Sequence, residues 1–108
     1  MIYTVDEIRK AILPVAKKYD LQAVYLFGSY ARGIATETSD IDLIIDTTGT
    51  AIRSLLQLAA VYNDLEDALG KPVDVITVSS LEQKAQRPSE LKFRQNVWNE
   101  KVNLYVAA

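Results

Sequence analysis

The sequence predicts an α/β (α+β) fold, a mixed β-sheet flanked by helices and formed as one domain over residues 1–108. Three observations carry this expectation. Short runs of branched and aromatic residues at 21–27, 41–45 and 73–78 read as strands. The stretches between them place apolar residues at three- and four-residue spacing, the period of helices packed on a sheet. Apolar residues also make up 49% of the 108, enough for one modest core.

Taken in order, Thr4-Val5-Asp6-Glu7 has the form of a capping box, and Val5, Ile8, Ile12, Val15 and Tyr19 continue it as a helix. Pro14 removes one backbone donor and is expected to bend this helix before the turn at Asp20. The strand at 21–27 ends at Gly28-Ser29, residues 29–32 form a helical turn that Gly33 terminates, and residues 34–39 are a polar loop. On the second strand Ile41, Leu43 and Ile45 take one face, and Asp40, Asp42 and Ile44 the other. The loop 47–50 carries a cap at its end. It opens a long helix marked by Ile52, Leu55, Leu56, Ala59, Tyr62, Leu65 and Leu69, stopped by Gly70 and Pro72. After the third strand, Ser80-Leu81-Glu82-Gln83 reads as a second capping box, opening a short helix that Pro88 interrupts. Ser89 is expected to cap another helix to about Val97, and a turn at Asn99-Glu100-Lys101 leads to an edge strand at 102–106. Tyr19 and Tyr62 read as core, Tyr30 falls inside the motif loop, and Trp98 is open between core and interface.

Composition narrows the chemistry. The chain has no Cys, which excludes disulfides and thiolate metal sites and suits a reducing compartment. It has no His, so acid/base or metal chemistry must run on Asp and Glu, whose oxygens suit a hard cation such as Mg²⁺. A net charge of −2 without a basic block argues against stable DNA binding. Asp6, Glu7, Arg9 and Lys10 rule out a signal peptide, and no apolar run spans a bilayer. The expectation is a cytoplasmic protein without membrane association.

The chemistry concentrates between residues 27 and 43. Gly28-Ser29 opens this stretch, and ten residues then separate Ser29 from the pair Asp40-x-Asp42. Glycine lets a backbone approach a phosphate, the N–H groups of a helix start favour anions, and the Ser29 hydroxyl can donate to a phosphate oxygen. Arg32, one turn on, can pair with phosphate or with a local carboxylate. Asp40 and Asp42 leave one strand face together, and two adjacent anions call for a cation between them. Two divalent ions about 3.5–4 Å apart can clamp an in-line phosphoryl displacement. Asp74, a lone charge on an apolar strand, is the natural third ligand and, without His, the best acceptor for the proton of an attacking hydroxyl. Each piece alone also has an ordinary structural reading: turn-capping aspartates, a Gly-Ser turn, an Arg32 ion pair, a satisfied strand-end carboxylate. Jointly, with Ala31-Arg32-Gly33 and Ser39 ahead of Asp40, the pattern favours chemistry.

That pattern resembles the signature of the DNA polymerase β-like nucleotidyltransferase superfamily. Gly28-Ser29-Tyr30-Ala31-Arg32-Gly33, Ser39-Asp40-Ile41-Asp42-Leu43 and Leu69-Gly70-Lys71-Pro72-Val73-Asp74-Val75-Ile76 resemble its minimal branch, the MNT proteins, and the likeness covers nearly the whole chain. The resemblance implies a minimal nucleotidyltransferase fold binding ATP or another nucleoside triphosphate with two Mg²⁺ ions, Mn²⁺ being an alternative. In it Asp40 and Asp42 hold both metals, Asp74 holds the catalytic metal and helps activate the acceptor, and Gly28 and Ser29 cradle the triphosphate. MntA-type antitoxins of HEPN/MNT toxin–antitoxin pairs adenylylate a tyrosine of the HEPN toxin, so a HEPN-domain protein is the implied partner. Two other readings stand beside this one: a non-catalytic antitoxin acting by complex formation, and a small-molecule nucleotidyltransferase. Homo- and hetero-oligomeric assembly both remain open.

Overall fold

The computed structural model describes residues 2–82 and 88–107, and its first helix, α1 (Val5–Lys18), starts on the expected capping box. Glu7 N–H donates to Thr4 Oγ1 at 3.1 Å, and Thr4 N–H donates to Glu7 Oε1 at 2.9 Å. The helix continues through Pro14 and buries Ile8, Ile12, Val15 and Ala16. Then follow β1 (Ala23–Phe27), α2 (Gly28–Arg32), β2 (Ile41–Asp46), α3 (Leu55–Leu69), β3 (Val73–Thr77), α4 (Val78–Glu82), α5 (Pro88–Glu100) and β4 (Val102–Val106).

The four strands form one mixed sheet in the order β3-β2-β1-β4. β1 runs antiparallel to β2 and β4, whereas β2 and β3 are parallel, joined by the α3 crossover. Alternation along β2 decides what each face of the sheet does. Ile41, Leu43 and Ile45 join Ile8 and Ile12 of α1 and Val61, Leu65 and Leu69 of α3 in the main core. Ile44 points to the other face, where it packs with Phe27 of β1 and Val97 of α5. No helix among the described residues is long and apolar enough to cross a membrane.

Several local expectations are corrected. The cap of α3 is Ser54, not the end of the 47–50 loop: Gln57 N–H donates to Ser54 Oγ and Ser54 N–H donates to Gln57 Oε1. Thr50 is instead buried, and its hydroxyl donates to the Thr47 carbonyl at 2.7 Å. The buried stripe of α3 is Val61, Leu65 and Leu69, with Leu58 half-buried. Leu55 and Leu56 stand 85% and 82% exposed and Ala59 is also exposed, so the apolar period runs a turn beyond the surface that can bury it. Ile52 packs against the core from ahead of the helix rather than within it.

Ser80 lies inside α4 rather than at its cap. β3 ends at Thr77, one residue short of the expected strand; α4 begins at Val78, and Ser80 N–H donates to Thr77 Oγ1. A threonine still in strand conformation serves as the cap, three residues ahead of the expected Ser80, and Gln83 lies outside the described residues. So does the point at which Pro88 would interrupt that helix; Pro88 itself opens α5, where its missing N–H is not needed. Ser89 is therefore inside α5 and not its cap. α5 runs on to Glu100, which leaves Lys101 alone as the link to β4, the expected edge strand.

Tyr30 is core at 4% exposure despite its place in the motif, while Tyr19 and Tyr62 are only half-buried. Trp98 is 43% exposed, sits edge-on to Tyr25 at 5.7 Å and carries Lys101 Nζ over its ring. The packing of α3 predicts a sharp contrast between its two leucine sets. Leu65→Ala should destabilise the fold by about 2–5 kcal/mol in urea denaturation, whereas Leu55→Ala or Leu56→Ala should change it by less than about 0.5 kcal/mol. Equal losses would place the wrong stripe in the core.

Candidate active site

The site is built from one row across the sheet. In the antiparallel β1–β2 ladder Phe27 lies opposite Asp42, and in the parallel β2–β3 ladder Asp42 lies opposite Asp74. Gly28 follows Phe27 directly, so β1 delivers the start of α2 to the same row.

Gly28 adopts φ +71°, a left-handed conformation that disfavours side chains. A Cβ added there would meet Asp42 Oδ2 at 2.1 Å. Glycine at this position therefore makes room for the Asp42 carboxylate. No side chain caps the N-terminus of α2, and Gly33 closes the helix at φ +75°. Ser29 is half-buried beside Gly28 and lines the same cleft.

Asp42 is the most constrained of the three acids. Its carboxyl is pushed up to about 6 by burial first, then by the charges of Asp74 and Asp40 and a hydrogen bond with Asp74. Asp74 is exposed on β3, a strand at the sheet edge, and Asp40 is exposed just ahead of β2. The structure thus brings Gly28, Ser29, Asp42 and Asp74 together on one cleft, and the charge of Asp40 is felt at Asp42 from the loop just ahead of β2. The loop carrying Asp40 is organised by Ser39, whose Oγ accepts from Thr36 N–H at 2.8 Å. Lys71 braces the loop from the other side, with Nζ 3.0 Å from the Tyr30 hydroxyl and 3.5 Å from the Glu37 carbonyl. Arg32 takes the local carboxylate: its Nε lies 3.2 Å from Glu100 Oε2, an ion pair with both partners about half exposed.

The cleft has a volume of about 700 Å³. Its walls are Gly28, Ser29 and Arg32 of α2, Asp42 and Asp74 of the sheet, Ile34, and the α5 residues Phe93, Asn96, Val97 and Glu100. Sequence reasoning missed Ile34 and the α5 wall. The available signal was the spacing of Phe93, Asn96, Val97 and Glu100 at i, i+3, i+4 and i+7, one helix face, without a motif to attach it to.

The donor set suits a hard divalent cation, since every candidate ligand is a carboxylate oxygen. Among the described residues no three acidic side chains are gathered into a ready cage. In magnesium sites one or two carboxylates commonly hold the ion and substrate phosphates complete its shell. Burial and the flanking charges of Asp74 and Asp40 raise the Asp42 carboxyl, and a divalent cation bound beside it would favour its ionised form.

Comparison with known proteins decides the family. Residues 10–106 match the model of the polymerase beta nucleotidyltransferase domain. The chain belongs to that family. It is a nucleotidyltransferase, and members of this superfamily generally work with divalent metals. It is 42% identical over 77 residues, 71% of this chain and 81% of the other, to a Methanocaldococcus jannaschii protein assigned as a protein adenylyltransferase. It is 39% identical over 83 residues, 72% of this chain and 81% of the other, to the protein adenylyltransferase MntA of Thermococcus cleftensis. Among solved structures, one described as a minimal nucleotidyltransferase matches with a TM-score of 0.67 and 29% identity, covering 93% of this chain and 95% of that one. The complex of tri-AMPylated Shewanella oneidensis HEPN toxin with MNT antitoxin shares the fold at a TM-score of 0.61 and 20% identity, covering 96% of this chain and 74% of that one.

Two outcomes test this nucleotidyltransferase site. Gly28→Ala should lose about 1–2 kcal/mol of stability from its positive φ, with the displacement of Asp42 added to it. Its transferase activity should fall by about 100-fold or more, because Asp42 Oδ2 must move; unchanged activity would separate Gly28 from the acid row. Asp42→Asn tests the electrostatics in EDTA. The folded carboxyl titrates near 6 against a normal value of 3.8, so the native state carries the penalty of the ionised form above pH 6 and none below pH 4. The variant should therefore be more stable than the parent by about 1 kcal/mol at pH 7.5, discounting the shift for partial exposure, with the gain vanishing below pH 4 in thermal melts.

Proposed function

We propose that this nucleotidyltransferase moves AMP from ATP to a hydroxyl of a partner protein, a tyrosine of a HEPN-type toxin, and acts as its antitoxin. The observation that carries the reading is the row Gly28–Asp42–Asp74, set in register on one cleft with a phosphate-compatible end and an acidic end. The names of its relatives support the adenylyl group, and the HEPN–MNT complex that shares its fold supports the partner.

In this reading Gly28 and Ser29 bind the β- and γ-phosphates through backbone N–H groups and the Ser29 hydroxyl. Arg32 exchanges Glu100 for a phosphate oxygen. Asp40, Asp42 and Asp74 hold two divalent ions, Mg²⁺ or Mn²⁺, which when bound neutralise the charge that builds up on the phosphate oxygens. Asp74 takes the proton of the acceptor hydroxyl, whose oxygen bonds to the α-phosphorus. The bond from that phosphorus to the bridging oxygen breaks, and pyrophosphate departs on the Gly28–Ser29 side. Residues 1–108 work as one minimal domain, and the partner supplies the acceptor. Free ATP and a cysteine-free chain make the cytoplasm the natural setting.

The test is to incubate the chain with ATP labelled on the α-phosphate, Mg²⁺ and the product of the adjacent gene. Label should appear on the partner and be lost with EDTA. Asp74→Asn should reduce transfer by about 100-fold or more while retaining nucleotide binding, as expected when one base and ligand is removed. A complex that forms but never carries label would sink the enzymatic reading for that pair and leave neutralisation by binding alone.

A further inference from the structure

The acid row and Gly28-Ser29 account for only part of the cleft. Another wall is α5, where core packing accounts for Val97 but not for Phe93. Val97 is 6% exposed and packs with Phe27 and Ile44, which fixes one face of α5 toward the sheet. Phe93 shares that face one turn earlier, lines the cleft, and is 57% exposed. Its ring packs against no other ring among the described residues. Ile34, from the loop after α2, is 62% exposed and lines the same cleft. Asn96 lies beside them, a donor and an acceptor on one short side chain.

An aromatic face, an aliphatic side chain and a planar amide, next to the Gly28-Ser29 turn, match the faces and the edge of a purine base, which the acid row leaves unbound. We infer that Phe93 and Ile34 form the base subsite of this nucleotidyltransferase and that Asn96 reads the base edge, selecting adenine. The inference rests on the reading that a nucleoside triphosphate occupies the cleft. A volume of about 700 Å³ is large enough for base, sugar and triphosphate together. Stacking on Phe93 holds any purine, since every base has a π face. The selection comes from Asn96. Adenine offers an acceptor and a donor side by side, N7 and N6–H₂, which an amide complements, whereas guanine offers two acceptors, N7 and O6, at the same edge.

Equilibrium binding in Mg²⁺ separates the parts, with ATP, GTP and inorganic tripolyphosphate as probes. The parent chain should bind ATP about tenfold or more tighter than tripolyphosphate, the span that one stacked base supplies. Phe93→Ala should weaken ATP by about 5- to 100-fold and leave tripolyphosphate unchanged, and Phe93→Trp should restore ATP. Asn96→Leu should bring ATP and GTP to equal affinity. Equal weakening of ATP and tripolyphosphate by Phe93→Ala, or no weakening of either, would overturn the base subsite while leaving the phosphate site intact. An unchanged ATP-to-GTP ratio in Asn96→Leu would remove Asn96 from the subsite. A parent chain that binds none of the three would remove the nucleotide reading itself, and the base subsite with it.

Discussion

Asp42 against Gly28 is the contact on which the rest of the site depends. A carboxylate oxygen occupies the space that any Cβ at residue 28 would need, and the glycine's positive φ turns the chain there from strand into α2. Two requirements meet at one residue: a backbone that turns sharply, and a surface bare enough for an anion. Because Phe27 is the register partner of Asp42, this contact also fixes the Gly28-Ser29 end of the cleft relative to the acid end to within one residue step.

The mixed sheet is what makes such a row possible. The antiparallel β1–β2 pair joins the Gly28 turn to Asp42 through the loop that carries Asp40, and the parallel β2–β3 pair sets Asp74 beside Asp42. Both acids then point to the face opposite the α1–α3 core, where α5 rather than α3 is the neighbour. The arrangement carries an electrostatic penalty. Burial and two flanking carboxylates raise the Asp42 carboxyl, and the fold tolerates this because Ile41, Leu43 and Ile45 on the other side of the same strand are fully buried. Stability and chemistry are thus divided between the two faces of β2.

Sequence reasoning read the strands, the two-faced character of β2 and the first helix cap directly, because a period of two and a capping box are local properties. It failed where several local solutions compete. Thr50, Ser54, Thr77 and Ser80 can all cap a helix, and which of them does depends on where the preceding chain leaves the sheet. Leu55 and Leu56 satisfy the helical period as well as Leu65 does, but the core ends before it reaches them. The cleft residues of α5 were illegible for a related reason: a phenylalanine and an asparagine three apart mean nothing until a helix is laid beside Gly28 and Asp42.

The sequence by itself determined the chemical inventory. With neither His nor Cys, only carboxylates remain for metal or proton work, and Gly28-Ser29, Asp40-x-Asp42 and Asp74 identify their order along the chain. It also determined the alternation that sends Asp42 and Ile41 to opposite faces, since that follows from strand geometry alone. Only the tertiary structure decided which acids stand together, that Asp42 fills the space over Gly28, that Arg32 rests on Glu100, and that Phe93 and Asn96 complete the cleft. The physical reason is range. Helical and strand periods act over a few residues, whereas strand register and helix placement are settled by how the whole core packs.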